Sequence, residues 1–171
     1  MELFCEFRYL IGEERKKGKY IWKKCEDMKD ACEQILNIML ELKLRKEHFS
    51  ILTLSNEAGI AIEEEILKKD QKTITTFESN GENEEIEKIR RQKRLFFTTE
   101  PERIKISTIH SFKGLEDKTI FLIIDEQKVK DEVLYVGITR AKEDLIIIDI
   151  NSNSKHREFF SKFSFESGVS I

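Results

Sequence analysis

Proline is nearly absent from this chain, with Pro101 the only one. The seven glycines are too scattered to build a phosphate loop of the Gly-x-x-x-x-Gly-Lys-Ser/Thr type. The three cysteines, Cys5, Cys25 and Cys32, fit no metal-ligand spacing and cannot all pair. That pattern points to reduced thiols rather than a metal site. A basic amino-terminal region followed by a long apolar stretch, the mark of an export signal, is missing. No apolar run approaches the roughly 20 residues that cross a bilayer. The expectation is a cytoplasmic protein with no membrane partner and no bound metal. The formal net charge of -3 gives no global basic field. Any contact with nucleic acid must therefore use a local patch.

What is abundant is charge and evenly spaced apolar runs. Charged residues make up 37% of the 171 and hydrophobic residues 39%, against roughly 25% charged in typical soluble domains. The length suits one compact domain with a real core. Residues 20–25 read as a short strand, and Asp27 and Asp30 open a helix with apolar positions Ala31, Ile35, Ile38, Met39 and Leu42. Residues 49–54 form an apolar strand. Ser55 or Asn56 caps a helix running to about Lys69. Thr73 to Phe77 is a brief strand, residues 79–83 a turn-rich break and 84–94 a charged helix. Residues 103–108 form a strand that leads into a short helix. The run 119–124 is a strand, 130–142 a helix and 145–150 a strand. Apolar runs without polar alternation have both faces covered. The pattern predicts an α/β fold, a three-layer α/β/α sandwich with a mainly parallel sheet. One domain over 1–171 is expected, with an excursion at about 78–102 and a docking helix or tail from 152.

Two strings carry chemistry. The first is Ile106-Ser-Thr-Ile-His-Ser-Phe-Lys-Gly-Leu-Glu116. Ligands bind at the carboxyl ends of strands in open parallel sheets, and helix N-termini favour phosphate. Thr108 and His110, at the junction of strand and helix, add side-chain donors. Gly114 permits close backbone approach, and the Glu116 carboxylate can accept from a ribose hydroxyl. The second string is Leu134-Tyr-Val-Gly-Ile-Thr-Arg-Ala-Lys142. Val133, Val136 and Ala141 can pack on the sheet. The Arg140 guanidinium offers planar donors matched to phosphate oxygens.

Together these strings resemble motifs V and VI of the UvrD/Rep-like superfamily 1 helicases, in the right order and each followed by an apolar strand. The resemblance is clear from about Lys105 to Asp149 and weaker from Tyr20 to Leu67. It implies the second, C-terminal RecA-like lobe of an ATP-dependent DNA helicase or translocase. In that setting Thr108, His110, Ser111 and Lys113 contact the backbone of single-stranded or partly duplex DNA. Gly114 and Glu116 lie on the nucleotide side, and Arg140 reaches the γ-phosphate as an arginine finger. ATP and Mg2+ are bound mainly by an N-terminal RecA-like lobe of a longer chain, so this chain shows no ATPase alone. Thr108, His110, Glu116 and Arg140 are expected around one mouth. Translocation with 3′ to 5′ polarity is implied by the resemblance only. At Ile51-Leu-Thr-Leu-Ser-Asn56, where the family's motif IV falls, Thr53-Leu54 stands in place of Tyr-Arg. Asp117 stands in place of the usual aromatic residue.

Plainer readings sit beside these. His110 alone would more often be an ordinary surface or core histidine. Arg140 alone would be a helix-end cation facing the dipole. Lys88, Arg90, Arg91, Lys93 and Arg94 could form a nucleic-acid stripe, but Glu84, Glu85 and Glu87 suit a self-paired solvated helix. Phe112 can stack on a base or pack in the core; Trp22 belongs to core or interface. Phe121-Leu-Ile-Ile-Asp-Glu126 imitates a Walker B strand, yet no phosphate loop accompanies it. Asp125 or Glu126 more simply helps start the next helix. The alternative for the whole chain is a non-catalytic nucleic-acid-binding or scaffolding module that retains the RecA-like fold.

Overall fold

The computed structural model describes residues 18–76, 97, 99–126 and 129–150. The readings placed on 78–96 and on the tail from 152, with the basic cluster 88–94 and Cys5, lie outside them.

Six strands form one sheet: β1 Tyr20–Lys24, β2 Phe49–Thr53, β3 Thr73–Thr75, β4 Ile104–Thr108, β5 Asp117–Ile124 and β6 Ala141–Asp149. Their order is β1-β6-β5-β2-β4-β3, and every pairing is parallel. The central strands β2 and β4 are buried at every residue, as expected where helices or loops cover both faces. Three α-helices have described bounds, α1 Met28–Glu41, α2 Asn56–Leu67 and α3 Asp131–Ile138, with a 3-10 turn at Lys46–His48 before β2. Asp27 caps α1 by accepting from the Asp30 amide at 2.8 Å. Ser55 caps α2 by accepting from Ala58 at 3.1 Å. Each cap satisfies an amide that has no partner inside the helix.

Alternation along the strands divides the core. Phe49, Ile51, Phe121, Ile123, Ile146 and Ile148 face α1 and α2, meeting Ile35, Ile38, Ile62 and Ile66. Leu52, Ile120, Leu122, Ile124 and Ile147 face the other way, against Ile109, Phe112, Phe97 and Leu134. An edge-on ring pair marks each side, Phe49–Phe121 at 5.5 Å and Phe97–Phe112 at 5.9 Å.

Two expected elements differ. The helix expected over 130–142 ends at Ile138, and Ala141 and Lys142 open β6. The short helix expected after Thr108 is absent, and residues 109–114 form successive turns. The registers explain why. Thr108 pairs with Thr53, while Thr119 pairs with Phe49. The chain must descend about six residue levels to reach Asp117, on the order of 20 Å at ~3.3 Å per residue. Eight residues of helix would span only ~12 Å. The crossover therefore stays open, pinned to the sheet by buried Ile109 and Phe112.

Candidate functional site

At the carboxyl end of β4, the turn is built by Thr108. Its carbonyl accepts from the Phe112 amide at 3.0 Å and its hydroxyl accepts from the Ser111 amide at 3.2 Å. The same position is tied to β2, because the Ile109 amide donates to the Thr53 carbonyl at 3.0 Å. Behind it lies a buried hydroxyl network. The Thr76 and Ser107 hydroxyls share a 2.7 Å hydrogen bond, and the Ser107 hydroxyl donates to the Thr108 carbonyl at 3.1 Å. Thr108 is only 6% exposed, so the turn presents His110, Lys113 and Gly114 to solvent, with Ser111 half-buried. Gly114 has φ +84°, and nothing lies within 4 Å of where a Cβ would sit. Backbone conformation, not crowding within the chain, is what calls for glycine there. Phe112 is buried against Phe97, which excludes it as a base-stacking platform in this conformation. Thr53, at the position read as motif IV, is fully buried, and its hydroxyl donates to the Ser55 carbonyl at 2.9 Å. It shapes the strand end rather than facing a ligand.

Arg140 sits at the other end of the sheet, in the turn between α3 and β6. Its Nε donates to the Val136 carbonyl at 3.1 Å, beside the Thr139 hydroxyl donating to the same oxygen at 3.0 Å. These donors satisfy a last-turn carbonyl that the helix itself leaves free. The guanidinium thus does play the helix-end part, with Nε alone. Its backbone carbonyl accepts from the Asp117 amide at 3.1 Å, which places it next to Glu116. Glu116 is exposed, 3.6 Å from the Lys142 ammonium. Gly137, within the same string, lets α3 lie close to the sheet, since a Cβ would stand 3.1 Å from Ile109 Cδ1 and 3.2 Å from Leu122 Cδ1.

The sequence readings are thereby sorted into two groups rather than one mouth. Glu116 and Arg140 come together where β5 and β6 begin. Thr108, His110 and Ser111 lie where β4 ends. The single mouth expected from Thr108, His110, Glu116 and Arg140 is corrected by parallel pairing, which sends strand starts and strand ends to opposite edges. Asp125 and Glu126 do not start the next helix. The α3 N-cap is Lys130, with no side-chain cap. Asp125 keeps one buried carboxylate oxygen without a hydrogen-bond partner, and burial pushes its pKa above the usual carboxylate value. Among the described residues no group of three or more His, Cys, Asp or Glu could hold a metal. Trp22 packs against the face that carries Phe112.

Sequence reasoning missed a buried ion pair. The Lys105 ammonium meets the Asp117 carboxylate, both 8% exposed, and also donates to the Glu47 carbonyl at 2.9 Å. The Ser50 hydroxyl donates to the same carboxylate at 2.8 Å. The available signal was a lysine inside an apolar strand together with an aspartate where the family carries an aromatic residue.

A parallel six-stranded sheet with elements packed on both faces, the first string crossing from the end of β4 to the start of β5 and the second meeting it there, is a RecA-like three-layer α/β/α fold. Residues 104–148 match the UvrD-like helicase C-terminal domain family. The matched segment is about a quarter of the chain and contains both strings from Lys105 on. The chain is 43% identical over 70 residues to the ATP-dependent DNA helicase HMI1, mitochondrial, of Saccharomyces cerevisiae. That stretch is 39% of this chain and only 9% of the yeast protein. The fold is similar to that of the C-terminal domain of a possible DNA helicase from Lactobacillus plantarum WCFS1, with a TM-score of 0.61, 14% identity and coverage of 91% of this chain and 88% of that one. It is also similar to the C-terminal part of the Fun30 ATPase domain, with a TM-score of 0.54, 14% identity and coverage of 83% and 48%. The chain thus shares its fold with C-terminal domains of helicase- and ATPase-type proteins and spans about a tenth of the yeast relative's length.

Proposed function

We propose that the chain is the second motor lobe of an ATP-dependent DNA helicase or translocase of superfamily 1, working with an N-terminal RecA-like lobe that holds ATP and Mg2+. The observation that supports it is the adjacency of Arg140 and Glu116 at one edge of the sheet, where the Asp117 amide donates to the Arg140 carbonyl, with the exposed His110 at the other edge. This separation departs from the single mouth on which the sequence reading rested the motor role, and the motor reading stays ahead because residues 104–148 match the UvrD-like helicase C-terminal domain family. Arg140 keeps its planar Nη pair outside the Nε bond to Val136, the geometry a phosphate-facing guanidinium needs. Glu116 serves the nucleotide sugar, and Gly114 gives the loop beside it its left-handed turn. Thr108 builds the turn on which His110, Ser111 and Lys113 meet the strand backbone. No Mg2+ ligand is assigned to this chain.

The test is made in the two-lobe protein. Arg140→Ala lowers the ATP turnover number by roughly 10³ while single-strand affinity stays within about two-fold. Unchanged turnover removes Arg140 from the nucleotide site. His110→Ala weakens strand-stimulated turnover more than ATP binding, and equal single-strand binding in a filter assay counts against that role. A non-catalytic scaffold is the second reading, favoured by the buried Thr53 at the motif IV position. It predicts a parent chain without a Gly-Lys-Ser/Thr loop and no effect of Arg140→Ala.

A further inference from the structure

The β5–β6 ladder is irregular where Arg140 feeds into it. Asp117 pairs with Ala141, but Thr119 pairs with Asp144, so two steps on β5 meet three on β6. An extra residue of this kind interrupts the ladder and turns the strand, and such bulges recur beside functional sites. Backbone pairing alone therefore fixes the start of β6 weakly. Side chains make up the difference. Above the irregularity, the Asp144 carboxylate accepts from the Lys19 amide at 2.7 Å and from the Thr119 hydroxyl at 3.3 Å. Below it stands Asp117, whose amide holds the Arg140 carbonyl at 3.1 Å.

Asp117 is itself held from three directions. One carboxylate oxygen takes the Lys105 ammonium from β4 and the Ser50 hydroxyl from β2, and the other takes the Lys118 amide at 2.9 Å. We propose that Asp117, clamped by Lys105 and Ser50, is the positioning residue that sets the backbone of Arg140 and so the aim of its guanidinium. The enzymatic part of this inference rests on the arginine-finger reading above; the structural part does not. A buried ion pair contributes little net stability compared with well-packed apolar residues. Placed at an interrupted ladder beside a phosphate-directed arginine, it fixes position instead, and small misplacements of such groups cost about 10² in rate.

Hydrogen exchange of individual groups in this chain, followed by NMR at mildly acidic pH, tests it. In Asp117→Asn, exchange of the Arg140 Nε–H and the residue-117 amide accelerates about ten-fold or more, while the Ile120 and Leu122 amides keep their rates. The double variant Lys105→Met/Asp117→Leu replaces the pair with apolar groups and retains the fold by its denaturation midpoint. Its Arg140 Nε–H still exchanges fast. Ser50→Ala, the mildest change, gives an intermediate acceleration. Native exchange at Arg140 in these variants, or its return to native in the double variant, overturns the proposal. So does acceleration shared equally by the whole sheet. In the two-lobe protein, Asp117→Asn lowers kcat about ten-fold with KM within about two-fold. Turnover unaffected by Arg140→Ala would sink the finger reading and leave the exchange result standing.

Discussion

Cys25 and Cys32 lie 1% and 0% exposed in the core between the sheet and helices α1 and α2, Cys32 on α1 itself. Burial pushes the Cys25 thiol from 9.0 up to about 12, helped by the Asp30 and Asp149 charges, and the Cys32 thiol up to about 11. Both groups bind their proton more tightly folded than unfolded. Their contribution is complete below pH 9 and is lost as pH rises through 9 towards 11 and 12, since the unfolded chain ionises first. Each thiol adds up to ~1.4 kcal/mol of lost stability per pH unit in that window. Urea midpoints at pH 8, 9 and 10 check this, and a Cys25→Ala/Cys32→Ala variant should flatten the fall. A slope unchanged in that variant would assign the loss to other groups. At this scale the sequence was only partly legible. Arg140 and Glu116 stood out because they sit in long strings with few alternative readings. Asp117 did not, because a carboxylate beside a conspicuous Glu reads as surface charge until the lysine twelve residues earlier is seen across β2. Phe112 was ambiguous for a different reason: a ring in a loop can stack outward or inward, and only the course of the crossover decides.

Elements were easiest to read where a cap and a period agree. Asp27 with α1 and Ser55 with α2 fall where a short polar acceptor precedes an apolar helical repeat. Replacing Ser55 by alanine leaves the Ala58 amide without its acceptor and costs about 1 kcal/mol by urea denaturation. A loss below a few tenths would mean that water serves that amide equally well. Legibility failed at the carboxyl end of the second string. Lys142 and Glu143 resemble the solvated face of a helix, yet they belong to a strand whose first residues pair around an irregular register. Local composition carries no sign of a strand beginning before its apolar run. The packing of α3 gives a second prediction at this scale. Gly137 is buried, with side-chain methyls of Ile109 and Leu122 at 3.1 to 3.3 Å from a virtual Cβ. Gly137→Val adds a branched side chain there, lifts α3 from the sheet and costs about 1–3 kcal/mol. Because Ile109 opens the turn that carries His110, the same variant should also broaden the NMR signals of residues 109–114. Broadening absent at lowered stability would separate the helix from the turn.

At the scale of the whole molecule, charge bears on how the proposed lobe would meet a nucleic acid. A net charge of -3 on 171 residues gives no long-range pull towards phosphate. The turn after β4 exposes a single lysine, Lys113, next to His110 and Gly114. Single strands release counterions with a log–log salt slope of about -0.7 per phosphate neutralised. If this turn is the strand contact, affinity of the chain for a short single strand should fall with a slope near -0.7 above neutral pH. Lys113→Ala should bring the slope close to zero. The competing candidate in the sequence is the basic run Lys88, Arg90, Arg91, Lys93 and Arg94, preceded by Glu84, Glu85 and Glu87. Were that run the contact, four or five phosphates would be neutralised and the slope would approach about -3. Fluorescence anisotropy titrations at several salt concentrations separate these cases. A steep slope that survives Lys113→Ala would move the strand contact away from the carboxyl edge of the sheet, and with it the division of labour between the two edges.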